Sequence, residues 1–373
     1  MTTPLNILTL EAYDGGSHGQ FLDGLISHSA HNYMRIGMPP RKWKWRMRGS
    51  ALYFIEKINE LTDEQLEAID LIFTSDMTSV ADLKAMLPEP LRKCPVVCYF
   101  HENQLTYPVQ FEDERDFQYA FTNITTALAA DYVWFNSNYH RQDFLDAVEA
   151  LLKRMPDCVP GDIPEKINAR SMVMPLGLPD DLDYQKPNRT VNEMPILLWN
   201  HRWEHDKNPD DFFEALFDLD RTGIDFKVII AGQRFRESPD IFEAGRLRLA
   251  NKIIHFGYAE NREHYLELLR QADIVVSTSI HEFFGLSVLE ALACGCLAIL
   301  PKRLSYPELI PAELHGQIFY NNANQLRRKL LALCKDLPDA NEKLIEAAKQ
   351  YSWSNMASKY DLQFSKIHQC SAL

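Results

Sequence analysis

Eight apolar, β-branched runs recur along the sequence, each followed by a stretch of helical periodicity: LNILTLEAY, DLIFTS, PVVCYF and DYVWFN in the first half, PILLWN, FKVIIAG, DIVVST and CLAIL in the second. Strands so uniformly apolar are buried on both faces, and strands alternating with helices pair in parallel through crossover connections. The chain is therefore expected to be α/β, with helices covering both faces of parallel sheets. Its 373 residues exceed what one hydrophobic core organises, so two doubly wound, Rossmann-like domains are expected, facing each other across a cleft. The polar, proline-bearing stretch PDDLDYQKPNRTVNEMP from Pro179 to Pro195 has neither period and suits the junction, giving domains over 1–180 and 195–350. In such sheets ligands bind beyond the carboxyl ends of strands.

Four stretches at those positions carry chemistry. After LNILTLEAY come Asp14, Gly15, Gly16, Ser17 and His18, then a helical pattern. Paired glycines let backbone amides approach an anion at a helix start, although the same pair also makes an ordinary tight turn. After PVVCYF comes HENQLTYP, with His101, Glu102, Asn103 and Gln104. So many polar side chains beside a buried strand need a ligand or an internal network to satisfy them, and the ligand is the favoured expectation. After PILLWN comes HRWEHDK, in which Arg202 and Lys207 can converge on one pyrophosphate, guanidinium as fork and ammonium as point charge. His201 and His205 lack a third ligand at suitable spacing, so no metal is expected there.

The fourth stretch, HEFFGLSVLEALACGC, follows DIVVST. Gly285 and Leu286 stand where a helix should begin, so their amides can meet a phosphate. Glu282 precedes that end and Glu290 lies inside a helix too apolar to be mostly solvated. Carboxylates accept hydrogen bonds from vicinal hydroxyls, and two of them flanking a phosphate site match the two sugars of a nucleotide-sugar, Glu282 for the transferred hexose and Glu290 for the ribose.

Composition excludes several alternatives. A net charge of -13 opposes broad adhesion to nucleic acid. The sequence holds no membrane-spanning apolar stretch, and MTTPLNILTL lacks signal-peptide features, so a cytoplasmic protein is expected. The seven cysteines form no CxxC pair and read as reduced thiols. One segment reverses the acidic average: no carboxylate lies between Asp23 and Glu56, while Arg35, Arg41, Lys42, Lys44, Arg46 and Arg48 crowd around Trp43 and Trp45. Such a segment suits phosphate contact with base stacking, an anionic lipid surface, or internal packing of the tryptophans under solvated cations. Charge and aromaticity alone leave the three open.

The E-x7-E element from Glu282 to Glu290, with Phe284, Gly285 and Leu286 between, resembles that of the family 4 retaining glycosyltransferases of GT-B fold. Arg202 and Lys207 fall where that family places its diphosphate-binding pair, and Gly15 and Gly16 where it places its N-terminal glycine loop. EAYDGGSH, RKWKWRMRGSALYF, FHENQLTYP, ERDFQYAF, HRWEHDK and HEFFG together resemble the tRNA-queuosine alpha-mannosyltransferase family and its bacterial relatives. His201 in place of a glycine before Arg202, and Cys296-Leu297 in place of a small residue and proline, depart from generic members without removing a contact group.

The resemblance implies transfer of mannose from GDP-mannose to queuosine in the anticodon loop of tRNA(Asp), without cofactor or metal. By it, Arg202 and Lys207 stabilise the departing diphosphate, Glu282 and His101 face the hexose, Gly16 and Gly285 offer amides, and the loop at Gly257-Tyr258 meets the guanine. It also implies a final helix over 351–373 that returns to the N-terminal domain. Ser17, His18, Arg41 to Arg46, Arg48, Glu102, Asn103 and Gln104 are the acceptor-side candidates, and the resemblance tips the basic segment toward RNA. The Asp181-Asp183 and Asp218-Asp220 strings are expected to be solvated surface, not metal ligands. Two other classes stay open, a membrane-associated transferase with a lipid acceptor and a noncatalytic RNA-binding module.

Overall fold

The computed structural model describes residues 3–109, 115–184, 194–234 and 238–371. Residues 185–193 of the expected junction, and Glu114 at the head of ERDFQYAF, lie outside them. The chain forms two compact units, one running to Gly177 and including the helix Trp353–Ser371, the other spanning Leu178–Ser352.

Each unit is built on a six-stranded, all-parallel sheet. The first contains β1 (Asn6–Glu11), β2 (Asn32–Gly37), β3 (Leu71–Ser75), β4 (Val96–Phe100), β5 (Tyr132–Phe135) and β6 (Ser171–Val173), in the order β2-β1-β3-β4-β5-β6. The second contains β7 (Ile196–Trp199), β8 (Lys227–Ala231), β9 (Ile253–Gly257), β10 (Ile274–Val276), β11 (Leu297–Pro301) and β12 (Phe319–Tyr320), in the order β12-β11-β10-β7-β8-β9. All eight apolar runs are strands, and both sheets have the doubly wound, Rossmann-like character expected of them. The four strands that the periodicity does not reveal, β2, β6, β9 and β12, are the four sheet edges. Edge strands face solvent on one side and need no continuous apolar run, and β2, β6 and β9 are accordingly only partly buried.

Winding reverses between β1 and β3 in the first sheet and between β7 and β10 in the second. At such a switch point the connections leave in opposite directions and open a crevice beyond the strand ends. The glycine stretch follows β1, HRWEHDK follows β7 and HEFFG follows β10, so topology delivers these residues to the two crevices.

The last helix closes the first unit. Trp353 seats its indole against Gly24 and Gly177, where a Cβ would lie 1.8 and 2.2 Å from ring atoms. Only glycine leaves room for that ring. Two and three turns on, Tyr360 donates to the carbonyls of Met174 and Pro175 at 3.3 and 3.0 Å, and Phe364 packs on Phe73 and Trp134 with centroids 5.4 and 5.0 Å away. Trp353→Ala is expected to cost about 3–5 kcal/mol, measured as a lower urea midpoint by circular dichroism.

Candidate functional site

In the second unit the chemistry centres on Lys207. A short helical turn, His205–Lys207, carries it inward until its side chain is only 8% exposed. Its Nζ lies 3.0 Å from Asp206 and 3.4 Å from Glu282, and donates to the His281 carbonyl at 2.8 Å. Thr278 Oγ1 holds the Lys207 carbonyl at 2.9 Å, and the Asp206 carbonyl accepts from Ile280 N at 2.8 Å. The segments after β7 and β10 are thus tied to each other through both backbone and charge. Burial alone would disfavour the ammonium; Glu282 and Asp206 more than offset it and raise its pKa. Burial likewise works against the Glu282 carboxylate, yet Lys207, followed by His201 and His281, holds its pKa at about 2. Both groups are charged across the physiological range. Burial and Lys207 push His201 down to about 4 and keep it neutral.

Arg202 is half exposed and pairs with Glu204 at 3.1 Å. Beyond Glu282, Gly285 caps the helix Leu286–Ala293 with φ 101°, a left-handed conformation that side chains resist. That helix start leaves first-turn amides without intrahelical partners, and Phe284 beneath it is buried. Glu290 lies inside the helix and is buried; Arg262 donates to it at 2.7 Å and the Tyr265 hydroxyl at 3.0 Å. Arg262 also grips Asp181 at 2.8 Å, and Arg270 grips Asp183 at the same distance. Tyr258, after β9, is 73% exposed, available as a flat aromatic face.

In the first unit Gly15 precedes the helix Gly16–His28, and Gly16 takes φ 55° with open space where a Cβ would be. Asp14 anchors this loop by pairing with Arg35, which also meets Asp23. Ser17 is exposed, but His18 is not: at 6% exposure its Nδ1 meets Glu11 Oε1 at 3.3 Å, and its ring stacks on His101 with centroids 4.0 Å apart. His101 is partly buried at the end of β4, its N–H donating to Asp76 Oδ1 at 2.8 Å and its carbonyl accepting from Asn136 at 3.0 Å. The other Asp76 carboxylate oxygen is buried without a hydrogen-bond partner among the described residues. Glu11, His18 and His101 each bring a potential ligand atom within 4.8 Å of the others. The two rings lie against each other at a tilt of 32° and His18 is committed to Glu11, an arrangement that suits ion pairing better than convergence on a metal.

Several acceptor-side expectations need correction. Asn103 is buried because its Oδ1 accepts from Leu105 N, Thr106 N and Thr106 Oγ1, building the loop. Gln104 is buried too, donating to Glu102 while its backbone N–H meets Asn123. These two satisfy the internal network that competed with the ligand. In the basic segment Trp43 opens the helix Trp43–Ile58 and packs on Tyr119 at 5.0 Å, whereas Trp45 is 77% exposed. Lys44 lies over the Trp43 ring, Arg46 donates to the Pro39 carbonyl and Arg48 to Thr122. Arg41 and Lys42 are exposed. The aspartate strings are ion-paired, not bare: Asp218 meets Arg221 and Arg327, and Asp220 meets Lys252. Arg262, Tyr265, Glu11 and Asp76 escape sequence reasoning, since each gains its partner through tertiary packing and no local motif marks it.

Comparison with known proteins places this geometry. Residues 6–178 match the family described as tRNA-queuosine alpha-mannosyltransferase N-terminal, and residues 180–351 match glycosyl transferases group 1. A tRNA-queuosine alpha-mannosyltransferase of Drosophila melanogaster is 40% identical over 339 residues, 88% of this chain and 87% of that relative. The chain belongs to the tRNA-queuosine alpha-mannosyltransferase family. It is a glycosyltransferase, as its membership of that family entails. A GDP-mannose-dependent alpha-(1-6)-phosphatidylinositol dimannoside mannosyltransferase of Mycobacterium tuberculosis is 27% identical over 52% of this chain and 46% of its own length. The fold matches a sucrose-phosphate synthase of Thermosynechococcus elongatus with TM-score 0.66 at 16% identity, over 99% of this chain and 100% of that one. No helix among the described residues is long and apolar enough to cross a membrane.

The buried imidazole of the first unit sets a pH dependence. Burial works against the charged His18, but Glu11, with Asp76 and Glu102, raises its pKa from 6.5 to about 9. A group raised in the fold contributes stability below its unfolded pKa that is lost as pH climbs through the folded one. Burial also raises the Asp76 pKa, with the same sign. The melting temperature is expected to fall between pH 6.5 and 9, and His18→Gln to shrink that fall, read by differential scanning calorimetry.

Proposed function

We propose that the protein transfers mannose from GDP-mannose to queuosine in the anticodon loop of tRNA(Asp), with retention of anomeric configuration, in the cytoplasm. The observation that carries the donor half of this reading is the buried Lys207 ammonium, held by Asp206, Glu282 and the His281 carbonyl at the β7/β10 switch point. When the glycosidic bond breaks, negative charge grows on the diphosphate, and a preorganised cation beside the Gly285 helix start stabilises it more than the ground state. Arg202, on the same loop and half exposed, supplies the bidentate partner. Glu282, ionised at every pH of interest, accepts hydrogen bonds from hexose hydroxyls. Glu290 takes the ribose, its second-layer partners Arg262 and Tyr265 fixing the carboxylate. Tyr258 offers its exposed ring to the guanine, and His101 faces the hexose.

The acceptor hydroxyl attacks the anomeric carbon on the face the diphosphate leaves, and the departing phosphate oxygen takes its proton, so no covalent intermediate is needed. The two cations carry the charge that a divalent metal would otherwise neutralise, so no metal is required. On the acceptor side, exposed Trp45 with Arg41, Lys42 and Lys44 supplies base stacking and phosphate contacts at the start of one helix.

Incubation with queuosine-containing tRNA and GDP-mannose, followed by mass spectrometry of the nucleosides, is expected to yield a nucleoside heavier by one hexose, undiminished by EDTA. Transfer to a lipid acceptor instead, or no transfer by folded protein, would overturn the reading. Arg202→Ala is expected to lower kcat on the order of 10²- to 10³-fold with an unchanged melting temperature, because the side chain is half exposed. Lys207→Ala should lower both, since it strands Glu282 and Asp206 as uncompensated buried charges. Trp45→Ala is expected to raise KM for tRNA while leaving KM for GDP-mannose alone, the shift corresponding to about 1–3 kcal/mol of lost stacking.

A further inference from the structure

We infer that Glu11 and His18 act as a positioning dyad for His101: the Glu11 carboxylate fixes the His18 imidazole, and that imidazole, laid on the His101 ring at 4.0 Å, fixes its neighbour in one orientation and one charge state. The inference rests on the reading of His101 as the residue that faces the transferred sugar.

The geometry leaves the three side chains little freedom. Glu11, at the end of β1, is buried, and its Oε1 accepts from Tyr13 N and Ser75 Oγ, each at 2.8 Å, as well as meeting His18. With the oxygen so occupied, the contact at His18 Nδ1 requires a proton on that nitrogen. The His101 main chain is clamped by Asp76 and Asn136, and its ring is packed by Phe21 and Tyr99 at centroid distances of 5.0 and 4.7 Å. The His18 ring covers it with an interplanar angle of 32°. None of the contacts between His18 and His101 is a hydrogen bond, so what passes from one ring to the other is position and charge.

Position matters because a hydrogen bond to a sugar hydroxyl requires the imidazole plane to be aimed. Charge matters because a neutral ring keeps one nitrogen able to accept a proton from a hydroxyl, whereas a protonated ring can only donate. The titratable and charged groups around His101 are His18 and Glu11 from β1 and its following helix, Asp76 after β3, Tyr99 and Glu102 from its own strand and loop, and His140 from the helix Asn138–Leu152. Burial, then His18 and then His140, disfavour a charged His101 and hold its pKa well below 6.5. Removing the His18 cation takes away the largest of the charges that disfavour protonation and tips that balance toward it.

The test is a histidine Cε1 NMR titration of the full chain between pH 5 and 8.5, with the His101 signal assigned from His101→Gln, alongside the pH profile of kcat/KM for transfer to tRNA. In the parent protein the His101 signal should not titrate above pH 5.5. His18→Gln keeps a hydrogen-bond donor for Glu11 but removes the cation; His101 should then titrate at least one pH unit higher, and the acid limb of kcat/KM should rise with it. His18→Lys, which restores a cation beside Glu11, should return both toward the parent. If His18→Gln does not fold, Glu11→Gln, which releases the proton from His18, is read in its place with the same expected direction. A His101 titration identical in parent and variant overturns the dyad. A shifted titration with an unmoved rate profile supports the dyad and instead overturns the placement of His101 at the sugar.

Discussion

Lys207 is a buried ammonium, and most of what surrounds it in the second unit exists to make that tolerable. Moving such a group out of water costs several kcal/mol that only well-placed opposite charge and hydrogen bonds offset. Asp206 and Glu282 supply the charge and the His281 carbonyl a bond, which obliges the loops after β7 and β10 to stay together. One electrostatic requirement thereby fixes the Glu282 carboxylate, the helix start that follows it and the loop that carries Arg202. The arrangement is a buried cation whose counter-charge is supplied from its own loop and from the loop after β10.

The first unit meets its own switch point with the opposite sign. Glu11, Asp76 and Glu102 gather acidic charge near β1, β3 and β4, and a single imidazolium, His18, answers it. Two halves of similar topology thus place buried charged pairs at strand ends, an ammonium between two carboxylates in one and an imidazole on a carboxylate in the other. One Asp76 oxygen is buried without a hydrogen-bond partner among the described residues, and burial raises the pKa of that carboxyl.

The interior strands were readable because parallel strands buried on both faces must be continuous apolar runs; the four edges were not, because nothing obliges an edge to be. That the stretches carrying Lys207 and Glu282 come together was also legible, since both follow strands of one sheet. The acceptor side was less so. His18, Asn103 and Gln104 read as ligand-facing polar residues, yet they are consumed by internal hydrogen bonds and an ion pair. A polar residue at a strand end looks alike in sequence whether it points to a substrate or to its own loop. Trp43 and Trp45 show the same ambiguity resolved by helical geometry: two residues apart, they sit on different sides of one helix, and only one packs on Tyr119. The partners of Glu290 were hidden for a different reason, as Arg262 lies 28 positions away and meets it only once the sheet has formed.

The helix Trp353–Ser371 gives the molecule an order of assembly. Phe73, Trp134 and the notch between Gly24 and Gly177 are made early on the ribosome but keep an uncovered apolar face until Trp353, Tyr360 and Phe364 emerge some 175 residues later. Domains generally fold as units during synthesis, so the segment Leu178–Ser352, whose strands and core are contiguous, can complete itself while its predecessor waits. The half of the enzyme that is translated first is the half that is finished last.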